Sequence, residues 1–191
     1  MSATVGLFLS IFCISSSYAS DPVCDASGCD VQYFSTDTLQ IVKLNYNDLV
    51  NKLDLSNSIA TAYGRSGLGI LLVENVPDLS SKRTRLLHLS RQLAHLDEEA
   101  KQSLEDEASL YSIGYSHGKE RLAKNQNDTR KISYYANPLA NDVSNGDQSL
   151  IANYRAVYGP NIWPTQHLPT LEEAFMDLGT LIHSVGQLIA H

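Results

Sequence analysis

One apolar stripe near the C-terminal end constrains the fold of this chain more than any other feature. Its members recur every three or four residues, which places them on one face of a helix over about four turns. The stripe consists of Phe175, Leu178, Ile182, Val185 and Ile189. Thr170 and Glu173 form a capping box directly before it, which predicts where the helix starts. We expect this 170–191 helix to pack partly on another helix and to leave the rest of its stripe open to self-association.

The composition predicts a single compact domain. Hydrophobic residues make up 43% and charged residues 18% of the 191 residues, which suffices for one apolar core. The 14 Lys and Arg against 21 Asp and Glu give a net charge of -7 without a dense basic stripe, so nucleic acid is excluded as a partner. Residues 119–131 form a loose cationic stretch that solvation explains. No run of about 18 apolar residues occurs, which excludes a membrane-spanning helix.

The first residues resemble a secretory signal. An apolar run over residues 5–14 precedes Ser17 and Ala19, which are small residues at the -3 and -1 positions of a cleavage site. We therefore predict a signal peptide over 1–19, a flexible segment over 20–38 and secretion. No Lys or Arg stands before the apolar run, so a disordered leader on a cytoplasmic protein is the alternative.

Two further features bear on secretion. If the leader is removed, Cys24 and Cys29 remain, and they form either one local disulfide or two free thiols in a tail. The sequence Asn127-Asp128-Thr129 is a sequon in a polar stretch, which makes Asn127 a candidate glycosylation site.

The first half of the chain alternates short strands with helices. Residues 39–44 predict a strand, 45–48 a turn and 55–63 a helix that glycines end before a fully buried strand at 70–73. Leucines at helical spacing from Leu79 to Leu96 predict a long helix, after which Asp97 caps a short one.

The second half shows less regular patterning. Residues 111–130 are mostly polar, with turns at Gly114 and Gly118. Residues 132–135 predict a short strand, whereas residues 137–169 predict a long irregular stretch in which Trp163 packs against the core. Together these elements predict an α+β fold.

The order of these segments resembles a known family. Five segments each carry a short motif, and the first of them ends in Val76-Pro77. They are residues 63–77, 86–105, 114–120, 133–138 and 161–164. Over residues 39–191 they resemble the N-terminal region of the isopenicillin N synthase-like family of non-haem iron, 2-oxoglutarate-type dioxygenases. The resemblance implies the helix and strand region that precedes a double-stranded β-helix, or jelly-roll, whose barrel is largely absent from this chain. It also implies Fe(II) and 2-oxoglutarate as cofactors of a full-length member that acts on a small organic substrate.

This sequence has no complete counterpart of that family's iron-binding motif. Family members hold iron with a His-x-Asp pair and a distal His, and an Arg-x-Ser pair anchors 2-oxoglutarate. His95 and Asp97 have the His-x-Asp spacing, and His167 lies at a suitable distance, but on a helix His95 and Asp97 diverge by about 200°. No Arg-x-Ser pair occurs. We therefore predict no catalytic, cofactor-binding or metal-binding residue in this chain.

Tyr134 and Tyr135 are the candidate substrate contacts. The resemblance implies that this segment borders the substrate mouth of a full-length enzyme, although packing against the barrel also explains each tyrosine. The sequence thus leads to two hypotheses: the N-terminal part of an oxidoreductase, inactive as this chain, or a secreted, non-catalytic binding or interaction module on the same scaffold.

Overall fold

The computed structural model describes residues 41–122 and 126–190, and the backbone of one short strand, Leu9–Ser10. The described strands are β1 (Leu9–Ser10), β2 (Val42–Asn45), β3 (Leu71–Glu74), β4 (Gly114–His117) and β5 (Ile132–Ala136). The described helices are α1 (Tyr46–Val50), α2 (Ser56–Tyr63), α3 (Leu79–Ala94), α4 (Glu98–Gln102), α5 (Gln148–Asn153), α6 (Arg155–Tyr158) and α7 (Leu171–Ala190). This mixture of helices with short strands confirms the α+β class.

The described residues fall into two compact units within the segment predicted as one domain. The smaller unit comprises residues 41–77 with 188–190, and the larger comprises residues 78–122 and 126–187 with β1. None of the described helices is both long and apolar enough to cross a membrane.

The smaller unit is built on a parallel pair of strands. β2 and β3 run in register from Val42 opposite Leu71 to Asn45 opposite Glu74, and α1 and α2 form the crossover between them. The predicted turn at 45–48 is wrong. The Asn45 side chain accepts a hydrogen bond from the Asn47 N–H at 2.9 Å and caps α1 instead.

The prediction that residues 70–73 form a fully buried strand is also wrong. β3 begins at Leu71, and Leu72 is 47% exposed. Among the described residues, the sheet of the smaller unit has two strands. Side chains alternate between its faces, so every second residue of β3 stays accessible. Helix α2, predicted from its apolar spacing and closing glycine, is confirmed.

Helices α3 and α4 of the larger unit form as predicted. Leu86 and Leu93 lie on the buried face of α3. The Asp97 carboxylate accepts a hydrogen bond from the Ala100 N–H at 2.7 Å, which satisfies one of the open donors at the start of α4.

The sheet of the larger unit is antiparallel, in the order β1-β5-β4. Tyr115 of β4 lies opposite Tyr134 of β5, and both side chains are buried on the core side. β4 is not predicted from the sequence, because residues 111–130 are mostly polar. Gly114 opens this strand at a φ of 75°, and a Cβ there would overlap the Leu104 carbonyl, so the chain passes here only with glycine.

The predicted irregular stretch at 137–169 is wrong in part, because it contains α5 and α6. Each has only four to six residues, too few to display an apolar stripe in the sequence. Asp147 nevertheless caps α5 by accepting hydrogen bonds from the N–H groups of Ser149 and Leu150.

Helix α7 supplies the centre of the core. Phe175 is fully buried, with its ring centroid 5.6 Å from that of Trp163 and 6.3 Å from that of Tyr134. The packing of Trp163 on the core is thereby confirmed. Further along α7 the stripe is less covered, since Ile182 remains 37% exposed.

Candidate functional site

The larger unit contains an open pocket of ≈ 500 Å³. It lies beside the sheet and is lined by Leu110, Tyr111, Ser112, Ser116, Lys119, Glu120, Tyr135 and Ala156. A volume of this order, with apolar walls and a few polar groups, is typical of sites for small molecules.

Strained backbone forms one wall of the pocket. The consecutive residues Leu110 and Tyr111 have φ angles of 55° and 60°. Residues other than glycine rarely adopt this region. Hydrogen bonds hold the segment in place: the Asp106 carbonyl accepts from the Tyr111 N–H at 3.0 Å and from the buried Ser109 hydroxyl at 2.9 Å. The strain places the Tyr111 ring on the pocket and leaves Leu110 83% exposed at its edge.

A partly buried ion pair fixes the adjacent wall. The Arg155 Nε lies 2.9 and 2.8 Å from the two carboxylate oxygens of Asp106, which is only 7% exposed. This contact ties α6, and with it Ala156, to the turn that precedes Leu110. The two walls are therefore held at a fixed spacing.

Lys119 brings a positive charge to the pocket. Its Nζ lies 2.9 Å from a Glu105 carboxylate oxygen and 4.6 Å from the centroid of the Tyr111 ring. The hydrogen bond to Glu105 raises the pKa of Lys119, so the ammonium stays charged at neutral pH.

Glu120 brings the matching negative charge. Its Oε1 lies 2.6 Å from the Lys131 Nζ and accepts a hydrogen bond of 3.4 Å from the Tyr135 hydroxyl. The hydrogen bond to Glu120 raises the pKa of Lys131. Lys119 and Lys131, assigned to a solvated stretch from the sequence, thus each form an ion pair beside the pocket.

The two candidate tyrosines have different surroundings. Tyr134 is 1% exposed and its hydroxyl donates a hydrogen bond to the Ile162 carbonyl. Burial raises the pKa of Tyr134 far above its ordinary value, so the hydroxyl keeps its proton and remains a donor. Tyr135, one residue later and on the other face of β5, lines the pocket.

Two of the three candidate iron ligands, His95 and Asp97, use their side chains in local contacts. His95 ends α3, where its Nδ1 lies 2.7 Å from the Arg91 carbonyl oxygen, while Asp97 caps α4. The backbone N–H of His167 donates a hydrogen bond of 3.0 Å to the Pro164 carbonyl in the turn before α7, and its side chain is exposed. Across residues 41–122 and 126–190, no group of three or more His, Cys, Asp or Glu side chains could hold a metal ion.

The secretion features lie mostly outside the described residues. The predicted signal peptide over 1–19 and the predicted flexible segment over 20–38 are described only at β1, and Cys24 and Cys29 lie outside the described residues. Asn127 is exposed, as a glycosylation site requires, and glycosylation there stays a prediction.

Sequence patterns identified only Tyr135 among the residues that line the pocket. Four of the others lie in the run from Ser109 to Gly118, which mixes tyrosines with serines and glycines and therefore resembles an ordinary loop. No protein-family model, no curated protein and no solved structure matches this chain.

Proposed function

We propose that this chain is the N-terminal part of a non-haem iron, 2-oxoglutarate-type oxidoreductase that acts on a small organic substrate. The observation that carries the proposal is the succession of elements. A strand, two short helices and a parallel strand lead to the long helix α3 and the short helix α4, in the order that the family motifs predict. A jelly-roll barrel that follows this region would supply the iron site.

The pocket gives this region a role in the complete enzyme. Tyr135 and Tyr111 offer aromatic surface and hydroxyl groups, and Ser112 and Ser116 add further hydrogen-bonding groups. A substrate held here would be oriented by a wall that the Asp106–Arg155 ion pair keeps rigid.

Among the residues that the structure describes, the candidate iron ligands do not fit an iron ion. An iron site of this type needs three ligands on one side of the metal. His95 instead ends α3 and Asp97 caps α4, and both side chains have local partners. Under this proposal the chain contributes to substrate orientation, and oxidation depends on the iron site of the complete enzyme.

A second candidate function is a secreted, non-catalytic interaction module. The exposed part of the α7 stripe, marked by Ile182, favours it because a partner could cover this surface. In this case the pocket would bind a ligand without any reaction.

Activity measurements separate the two functions. The purified 191-residue chain is expected to show no Fe(II)-dependent decarboxylation of 2-oxoglutarate, whereas the protein translated from the complete transcript is expected to show it. Fe(II) binding by the chain is compared with that of His95→Ala and of His88→Ala, a control at an exposed position. Stoichiometric binding that is lost only in His95→Ala would contradict the absence of an iron site. A complete transcript product without decarboxylation would overturn the oxidoreductase proposal.

A further inference from the structure

We propose that the pocket selects an uncharged small molecule with a flat ring, and that two ion pairs at its edge disfavour organic anions of the same shape. This inference rests on the proposed role of the pocket in substrate binding. It names the chemical class of the substrate from the charges and walls that surround it.

The charges that line the pocket are already neutralised. Among the described residues, Lys119 and Glu120 are the only ionic side chains of the lining. Lys119 pairs with Glu105 at 2.9 Å, and Glu120 pairs with Lys131 at 2.6 Å. Arg155, next to the lining residue Ala156, is paired with Asp106. Each charged side chain of the described lining therefore already has a counter-charge.

An anion would bind at a disadvantage in such a pocket. Its carboxylate would compete with Glu105 for the Lys119 ammonium, which Glu105 already holds at 2.9 Å. If the pairs stayed intact, the nearby Glu105 carboxylate would weaken the attraction of Lys119 for the anion, while the anion would still lose part of its hydration. An uncharged ligand meets neither difficulty.

The walls indicate a flat ring with hydroxyl or carbonyl groups. Tyr111 and Tyr135 provide aromatic surface, and Leu110 and Ala156 provide aliphatic surface. The Tyr135 hydroxyl and the Ser112 and Ser116 hydroxyls give the hydrogen-bonding groups that would fix the orientation of such a ring. Phenolic esters combine these properties.

Two probes that share one ring and differ in charge, and otherwise by a single methyl group, test the inference. Methyl 4-hydroxycinnamate and 4-hydroxycinnamate are titrated into the chain at pH 7, where the acid is ionised, and binding is followed by ligand-observed NMR. We expect the ester to bind at least about tenfold more tightly than the anion. Equal or tighter binding of the anion would overturn the inference and leave the proposed substrate role standing.

A matched pair of charge variants tests the cause of the selectivity. Glu105→Gln releases the Lys119 ammonium, so the anion should gain affinity and approach the ester to within about threefold. Glu107→Gln makes the same change of net charge at an exposed position and should keep the preference of the unmodified chain. Equal effects of the two variants would show that overall charge, and not the Lys119–Glu105 pair, sets the selectivity, which would overturn the inference.

A second pair of variants locates the binding. Ala156→Phe fills the pocket and should abolish ester binding, while Ala152→Phe on the exposed side of α5 should not. Thermal melting of both variants checks that they fold. Failure of both probes to bind the unmodified chain would count against the proposed role of the pocket itself.

Discussion

Two glycines of helix α7 provide a sharp test of how this helix packs. Gly179 is buried, and a Cβ built on it would overlap the ring of Pro138, which follows β5. The Thr180 hydroxyl donates a hydrogen bond of 3.3 Å to the Pro138 carbonyl at the same contact. Gly186, seven residues later in the same helix, is exposed and has open space around its Cβ position. We therefore compare Gly179→Ala with Gly186→Ala.

The two substitutions should have opposite effects on the free energy of unfolding. Alanine is favoured over glycine inside a helix by about 1 kcal/mol, and both variants gain this. At Gly179 the added methyl group also overpacks the core, at a cost of about 1 to 3 kcal/mol. The upper end applies because Pro138 is a rigid ring that is almost fully buried. Gly179→Ala should thus destabilise the larger unit by about 2 kcal/mol, while Gly186→Ala stabilises it by up to about 1 kcal/mol.

Urea denaturation measures this difference. Trp163 is the only tryptophan of the chain and packs on Phe175, so its fluorescence reports on the core around α7. A difference of about 3 kcal/mol between the variants corresponds to a separation of their midpoints by about 1 to 3 M urea. If Gly179→Ala unfolds at or above the midpoint of the unmodified chain, the close approach of α7 to Pro138 is wrong, and with it the described packing of the core.

Three further substitutions test separate features. Asp97→Ala removes the N-cap of α4 and should lower stability by about 1 kcal/mol in urea denaturation; no change would mean that the Ala100 N–H finds another acceptor. Tyr134→Phe leaves the Ile162 carbonyl without its donor and should lower stability by about 1 to 3 kcal/mol, whereas Tyr135→Phe should alter it by less than about 0.5 kcal/mol; equal effects would refute the different surroundings assigned to them. Ile182→Glu should reduce self-association in sedimentation without unfolding the chain, and unfolding would instead show that this part of the stripe is buried.

Sequence patterns were sufficient where a local signal determines the structure. α2, α3 and α7 carry apolar residues at helical spacing, and Asp97 marks the start of α4 by capping chemistry. β5 has consecutive apolar and aromatic residues. These signals act within a few residues of the chain, so no knowledge of tertiary contacts is needed to recognise them.

The pocket could not be predicted in this way. Its walls depend on contacts between distant residues, such as the ion pair of Asp106 with Arg155 and that of Glu105 with Lys119. Leu110 and Tyr111 adopt the left-handed backbone conformation, which glycine and asparagine favour. Neither residue is of these types, so the sequence carries no local signal for it. β4 was missed for a related reason, because its strand pairing is determined by β5 and by the close passage of Gly114 past Leu104.

Sequencing the transcript across the codon for His191 tests the central proposal most directly. The oxidoreductase account predicts an open reading frame that continues with a His-x-Asp motif, a later His and an Arg-x-Ser pair, since these residues complete the iron and 2-oxoglutarate sites of the family. A stop codon directly after His191, found in independent transcripts, would contradict the account and favour the interaction module.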